Sequence, residues 1–265
     1  MHDALDWTFI DEAVRSATTG VSTSISSKIN NINRAVGTLT GSAITRALGA
    51  DKLPDDHIQI NLEGSSGQSL GAFIPQGLTL RLTGDANDYA GKGLSGGRII
   101  IKAPSASTFE TDKNIIAGNV IGYGATSGEI FINGVVGERC AVRNSGATIV
   151  VEGTGDHAGE YMTGGVVAIL GDIGRNLAAG MSGGTIYLYD PKKTIHDHLS
   201  AGVYEIDPLE FEDDEKLLDI ITRFEAETGS KKAKSLLSDW RTARMDFVRI
   251  ETSEYQRVRD ELRNG

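Results

Sequence analysis

The sequence of 265 residues is 39% hydrophobic and 23% charged, which is typical of a globular protein with one large domain or two smaller ones. The formal net charge is −10 and the Lys and Arg residues are scattered, so we expect no nucleic-acid partner. No apolar run reaches the roughly 20 residues of a membrane span, so we expect no membrane partner. The acidic stretch Met1–Trp7 has no signal-peptide core, and a cytoplasmic location is expected.

Residues 1–57 are predicted to form helices and one strand that cap the central region. Apolar residues at helical spacing predict a first helix over residues 4–18, before Gly20. The alternation in Val21–Ser26 predicts a strand. A second helix is predicted over Thr40–Leu48, ending at Gly49.

Residues 58–190 repeat one short phrase seven times. The phrases are Gln59–Gly64, Thr79–Gly84, Arg98–Ala103, Glu129–Gly134, Thr148–Gly153, Val166–Gly171 and Thr185–Asp190. Their starting positions differ by 20, 19, 31, 19, 18 and 19 residues, a spacing that indicates a solenoid. The second and fourth residues of every phrase are aliphatic, which predicts strands with these side chains on one face. Stacking the strands predicts a mainly β fold, a parallel β-helix of about seven turns with α-helices at both ends.

Glycine is crowded into the corners between phrases, where it tolerates positive φ and close approach of neighbouring segments. The stretch Gly91–Gly96 satisfies the dinucleotide-binding pattern G-x-G-x-x-G. That pattern requires a following helix, and here a strand follows, so we predict no cofactor-binding residue.

Residues 191–265 are predicted to be a helical extension. Helices are expected over Asp213–Thr228, Lys231–Arg244 and Ser253–Leu262. The acidic run Glu205–Glu215 is interpreted as a solvated helix start rather than a cation site.

The middle residue of each phrase is predicted to face outward, and in the later phrases it is apolar. The resulting stripe is the predicted interface: Ile100, Phe131, Val150, Ala168 and Tyr187. Such a patch needs a cover, and the sequence leaves open whether the C-terminal helices or a partner supplies it.

No catalytic or metal-binding residue is predicted. Cys140, the single cysteine, is interpreted as a small buried residue. The pair His196 and His198 lacks a third metal ligand. The polar groups Asp156–Glu160 and Asp85–Tyr89 lie in corners, where hydrogen bonding between repeats is the expected role.

Long strings of the sequence resemble the C-terminal GXGXG domain of the glutamate synthase large subunit. Among them are Gly67-Gln-Ser-Leu-Gly-Ala-Phe-Ile74, Gly122-Tyr-Gly-Ala-Thr-Ser-Gly-Glu129, and the stretches 80–99, 137–147 and 152–165. The resemblance covers most of the chain. It implies a right-handed parallel β-helix without catalytic residues of its own. FMN and an iron–sulfur cluster are then expected in partner domains and none in this chain.

The resemblance implies a scaffold subunit or domain of a glutamate-synthase-type oxidoreductase. Its expected partners are a glutamine amidotransferase and an FMN-binding synthase, and a homo-oligomer is an open possibility. The ammonia of glutamine would be transferred to 2-oxoglutarate elsewhere in the assembly, and this chain alone would not be an enzyme. The alternatives are a free-standing β-helix that acts on a small molecule or carbohydrate, or a subunit of formylmethanofuran dehydrogenase or N-methylglutamate synthase.

Overall fold

The computed structural model describes residues 3–49, 51–200, 202 and 204–264. Met1 and His2, at the start of the predicted acidic N-terminus, lie outside them. The N-terminal region contains a 3-10 helix over Leu5–Thr8, then α1 (Ile10–Thr19), β1 (Thr23–Ile29) and α2 (Thr38–Leu48). The predicted first helix is therefore interrupted at Phe9, whose side chain is buried in the core.

The repeated phrases form parallel neighbouring strands. The strands are β2 (Ile58–Ser66), β3 (Leu78–Ala86), β4 (Ser95–Lys102), β5 (Ile115–Ala117), β6 (Ser127–Val136), β7 (Ser145–Thr154), β8 (Thr163–Ile169) and β9 (Gly183–Tyr189). Equivalent residues of successive phrases pair in register: Ile60, Leu80, Ile99, Ile130, Ile149, Val167 and Ile186. The predicted alignment of the phrases is confirmed. The step of 31 residues accommodates β5, which pairs with β3 and β6 beside the main path.

The C-terminal region contains two strands as well as helices. Its elements are β10 (Tyr204–Pro208), α3 (Phe211–Thr228), α4 (Lys231–Ser238), α5 (Trp240–Ala243), β11 (Phe247–Thr252) and α6 (Ser253–Asn264), with 3-10 turns over Ile195–Asp197 and Arg244–Asp246. The predicted helix over Lys231–Arg244 is broken at Asp239, which caps α5. The sequence reasoning missed both strands.

The predicted right-handed parallel β-helix of about seven turns is wrong. The described residues form one mixed 11-stranded sheet in the order β1-β2-β3-β4-β6-β7-β8-β9-β11-β10, with β5 beside it. Strand β11 is antiparallel to β9, and β10 is antiparallel to β11. The period correctly identified parallel neighbours. However, each repeat contributes one strand to a single sheet, and its remaining residues form the turn that leads to the next strand. The repeat also carries no information about the two strands that end the sheet, because they lie outside it.

The sheet has a hydrophobic core on each face. On one face, the inward aliphatic residues pack against apolar residues of the turns that follow each strand, such as Leu70, Leu94 and Met162. On the other face, the predicted outward stripe packs against α3 and α4. From the sequence these helices were expected at one end of the repeats, with cover of the stripe left open, and they lie across this face of the sheet. The end beyond β9 is occupied by β11.

The turns between strands share one backbone pattern, in which three alternate residues have positive φ. Examples are Tyr89-Ala-Gly91-Lys-Gly93 and Val120-Ile-Gly122-Tyr-Gly124. The central residue of the pattern lies close to an inward-facing aliphatic residue of a strand that comes later in the chain. A methyl group on Gly91 would overlap Cδ1 of Ile130, and one on Gly122 would overlap Cδ1 of Ile149.

Two turns replace this central glycine with alanine, at Ala141 and Ala178. Ala141 occupies the position with φ of 60°, in Arg139-Cys-Ala141-Val-Arg143. The flanking turns contact Ile149 and Ile186, so the register places Val167 opposite Ala141. Valine has no Cδ1 atom, and the shorter side chain leaves room for the Ala141 methyl group.

Candidate functional site

The five residues of the predicted interface are buried beneath the chain's own helices. Ile100, Phe131, Val150, Ala168 and Tyr187 are each at most 2% exposed. The rings of Phe131 and Phe224 of α3 meet edge to face, with centroids 5.7 Å apart and planes at 87°. Of the two covers considered from the sequence, helices α3 and α4 occupy the stripe. The prediction that the stripe is an interface with another protein stays a prediction, and such an interface would require α3 to move away from the stripe.

A buried arginine joins the sheet, α3 and the two C-terminal strands. The Arg249 guanidinium is 1% exposed, donates to Asp213 Oδ2 at 2.5 Å and to Asp207 Oδ2 at 2.9 Å, and lies 3.6 Å from Glu251 Oε2. Burial lowers the pKa of Arg249, but the hydrogen bond and negative charge of Asp213 outweigh it, so the pKa is raised. The acidic run that was interpreted as solvated therefore supplies three partners of a buried cation, Asp207, Glu210 and Asp213.

Tyr187 connects the apolar stripe to this arginine. Its hydroxyl donates to Asp213 Oδ1 at 2.7 Å, and burial together with that carboxylate raises the pKa of Tyr187. Nearby, Thr185 Oγ1 donates to Glu251 Oε1 at 2.6 Å. The sequence offered one signal for this network, an arginine inside the otherwise apolar stretch Phe247–Ile250, and it was not recognised.

A second ionic network binds the other end of α3. Arg81 and Arg98, on adjacent strands, both contact Glu227 of α3 and Asp56, and Arg98 also donates to Glu129 Oε2 at 2.9 Å. Burial raises the pKa of Glu227. The hydrogen bonds and positive charges of Arg81 and Arg98 together lower this pKa by more than burial raises it, so the net shift is downward. Helix α3 is therefore attached to the sheet by ion pairs near both of its ends.

Glu152 of β7 has a fully buried carboxylate that lies beside the start of α4. Its Oε1 accepts from Asn133 Nδ2 at 2.8 Å and from Ser230 Oγ, which also caps α4 by accepting from Ala233 N at 2.9 Å. Within the described residues, its Oε2 atom has no hydrogen-bond partner. Burial raises the pKa of Glu152 more than the hydrogen bonds from Ser230 and Asn133 lower it, and Asp112 adds to the rise.

We predict that Glu152→Gln stabilises the protein at pH 7.5 by about 1 to 2 kcal/mol, because the amide removes a buried charge while its oxygen still accepts from Asn133 and Ser230. A carboxyl whose folded pKa is raised loses stability as pH rises from its unfolded pKa toward its folded pKa. The gain should therefore shrink toward pH 4. Urea denaturation at both pH values measures it, with the exposed Glu63→Gln as control. A variant less stable than wild type at both pH values would contradict the prediction.

Cys140 is 1% exposed, and burial raises the pKa of its thiol to about 12. This placement confirms the interpretation as a buried structural residue. An iron–sulfur cluster needs several thiolates on a common surface, and one buried thiol does not fit it.

We predict that native Cys140 resists alkylation. A rise in thiol pKa from 9.0 to about 12 lowers the thiolate fraction at pH 8 by a factor of about a thousand, and burial blocks the reagent as well. Mass spectrometry after iodoacetamide treatment should find the native thiol unmodified and the guanidinium-unfolded thiol fully modified. Rapid stoichiometric labelling of the native protein would contradict the buried geometry.

The polar corner residues form hydrogen bonds between successive turns. Asp88 Oδ1 accepts from the Asn119 backbone N–H at 2.8 Å, and Asp156 Oδ1 accepts from the Arg175 backbone N–H at 2.7 Å. The hydrogen bonds from the backbone and side chain of Arg175 lower the pKa of Asp156. Hydrogen bonding between repeats was the role expected for the groups Asp85–Tyr89 and Asp156–Glu160. The structure confirms this role for Asp88 and Asp156.

Nδ1 of His198 lies 3.1 Å from the carbonyl oxygen of Gly174, and the side chain of His196 is exposed. In the part of the chain that the structure describes, no three His, Cys, Asp or Glu side chains come together as a metal site. Within the same residues, no helix is both long and apolar enough to cross a membrane.

The outer side of the turns forms an open groove of about 340 Å³, called here the turn groove. Its walls include Tyr89, Val120, Tyr123, Arg139, Arg143 and Tyr161. Five of these residues belong to the φ-positive pattern, and Tyr123 lies between two of its members. The five have φ between 53° and 62°. This conformation costs a non-glycine residue about 1 to 2 kcal/mol.

Comparison with known proteins links this architecture to one family. The GXGXG motif family matches residues 6–253. The glutamate synthase [NADPH] large chain of Bacillus subtilis (strain 168) is 48% identical over 258 residues, and the glutamate synthase [NADH] of Schizosaccharomyces pombe is 45% identical over 259 residues. These alignments cover 96% and 97% of this chain.

The ferredoxin-dependent glutamate synthase of Antithamnion sp. is 44% identical over 224 residues, which is 84% of this chain. The chain spans only 17%, 12% and 14% of the lengths of these three relatives, so it corresponds to one region of much longer proteins. Since the family match extends over nearly all of the sequence and includes every turn of the φ-positive pattern, this chain belongs to the GXGXG motif family.

Proposed function

We propose that the chain is a structural domain or subunit of a glutamate-synthase-type oxidoreductase. The supporting observation is its 44 to 48% identity, over most of its length, to proteins named glutamate synthase. In this proposal the ammonia of glutamine is transferred to 2-oxoglutarate by other parts of the assembly, which also bind FMN and the iron–sulfur cluster. The assembly would act in the cytoplasm.

A positioning role is consistent with how the polar residues of this chain are used. Arg249, Glu227 and Arg98 attach α3 to the sheet, and Asp88 and Asp156 join successive turns. Parallel strands whose repeated phrases pair in register, in a sheet covered on both faces, make a stiff body. We infer that this body keeps an ammonia-producing site and an ammonia-using site at a fixed separation, which contributes to catalysis through orientation.

The test uses the Bacillus subtilis large chain with its matching region replaced by this chain, called here the hybrid large chain. We expect the purified chain alone to form no glutamate from glutamine and 2-oxoglutarate, and the hybrid large chain to form it. Deletion of the region without replacement should abolish the activity. Glutamate formation by the isolated chain, or an inactive hybrid beside an active unmodified large chain, would overturn the proposal.

A further inference from the structure

The turn groove carries side chains that the turns themselves do not require. Three turns place glycine at the last φ-positive position, at Gly93, Gly124 and Gly180, whereas the equivalent positions hold Phe73, Arg143 and Tyr161 in other turns. Glycine satisfies this backbone conformation without strain, so the fold alone favours it there. Large side chains held at such positions indicate a role outside the backbone.

The groove is open at its centre. The rings of Phe73 and Tyr161 lie over the glycines of the next turns, Gly93 and Gly180. No atom lies within 4 Å of the position that a Gly124 side chain would occupy. The groove can therefore accept a side chain from another molecule between Tyr89, Tyr123 and Tyr161.

The charge of the groove differs from that of the whole chain. The chain has a net charge of −10, yet Arg139 and Arg143 are both exposed at this surface. In the described part of the chain, neither guanidinium forms an ion pair, and Glu160 is the acidic residue among the walls. Tyrosine and arginine are among the residue types enriched at the centres of protein interfaces.

We propose that the turn groove docks another domain of the glutamate-synthase-type protein, through a carboxylate that pairs with Arg139 and Arg143 and an apolar side chain that enters beside the tyrosines. This inference rests on the proposed function. Both faces of the sheet are already covered within this chain, by the turns and by α3 and α4. Since the chain spans 12% to 17% of the length of its relatives, most of such a polypeptide lies outside it and needs a contact surface. The turn groove has the charge and shape for that contact.

Hydroxyl-radical footprinting of the isolated chain and the active hybrid large chain tests the docking directly. We expect oxidation of Tyr89 and Tyr161 to fall by roughly a factor of five in the hybrid, because residues sealed in an interface centre lose contact with water. Oxidation of the exposed Phe211 on α3 serves as the internal reference. Equal oxidation of the tyrosines in an active hybrid would overturn the docking inference and leave the proposed function intact. An inactive hybrid beside an active unmodified large chain would overturn both.

A charge reversal provides the matched variant test. We expect Arg139→Glu with Arg143→Glu to restore tyrosine oxidation in the hybrid to the level of the isolated chain. The control is Lys216→Glu with Lys234→Glu, which makes the same charge change on exposed positions of α3 and α4. Circular dichroism of the isolated variants establishes that each is folded. Unchanged protection in the folded arginine variant would contradict the pairing with a carboxylate.

Discussion

Alanine at position 91 is expected to destabilise the protein by roughly 2 to 5 kcal/mol, the sum of a backbone cost and an overpacking cost. Gly91 has φ of +71°, a conformation that disfavours any side chain. Its added methyl group would also overlap Cδ1 of Ile130, a fully buried residue of β6 that cannot move aside without disturbing its neighbours.

Two variants separate these costs. Gly124→Ala has nearly the same φ, +64°, but its methyl group meets no atom within 4 Å, so it measures the backbone cost alone. Combining Gly91→Ala with Ile130→Val removes the overlapping Cδ1 atom and should restore about 1 to 2 kcal/mol relative to Gly91→Ala. The natural pair of Ala141 and Val167 has this same combination of side chains.

Urea denaturation followed by circular dichroism gives the free energy of unfolding of each variant. The expected order of stability is wild type, Gly124→Ala, the double variant and then Gly91→Ala. If Gly91→Ala were no less stable than Gly124→Ala, the contact with Ile130 would not be the reason for glycine at this position.

Removal of the Arg249 side chain is expected to destabilise the protein by about 3 to 5 kcal/mol, because breaking a buried ion pair leaves uncompensated charge. Asp213 and Glu251 are buried beside the guanidinium, and Asp213 also accepts from Tyr187. Arg249→Ala would therefore weaken the connection between β11, its neighbouring strand β9 and α3 at once.

The loss should depend on pH. With the cation removed, the buried side chains of Asp213 and Glu251 keep an uncompensated negative charge away from water, and this cost is largest at a pH where carboxyl groups are ionised. We expect a larger difference from wild type at pH 7.5 than at pH 4.5 in urea denaturation. The exposed Arg241→Ala should lie within about 0.5 kcal/mol of wild type. A loss that is equal at both pH values would indicate that packing of the arginine stem, and not its charge, explains the effect.

The repeat made the parallel part of the sheet predictable, because two aliphatic residues per phrase fix which strand pairs with which. It did not reveal β10 and β11. These strands are short and occur once. Most of β10 falls within the acidic run that was interpreted as a helix start, and the residues of β11 lie between two predicted helices and were assigned to no element. The error about a β-helix has the same origin, since a period describes neighbouring repeats and not the element that ends them.

The sites were less accessible from sequence than the strands. Arg249 is separated by 36 residues from Asp213 and by 42 from Asp207, and nothing local connects them. The turn groove was missed because positive φ was anticipated at glycines only, whereas Tyr89, Arg139 and Tyr161 adopt it as well.

The antiparallel attachment of β11 limits how this fold can change in length. A duplicated repeat inserted between β4 and β9 would keep the junction of β9 with β11, but it would move Arg81 and Arg98 away from Glu227 of α3 by one strand spacing. A duplicate appended after β9 would separate β11 from its partner and remove Arg249 from the end of α3. The length of α3 is therefore matched to the number of strands between β4 and β11, and that number is expected to be retained among natural variants.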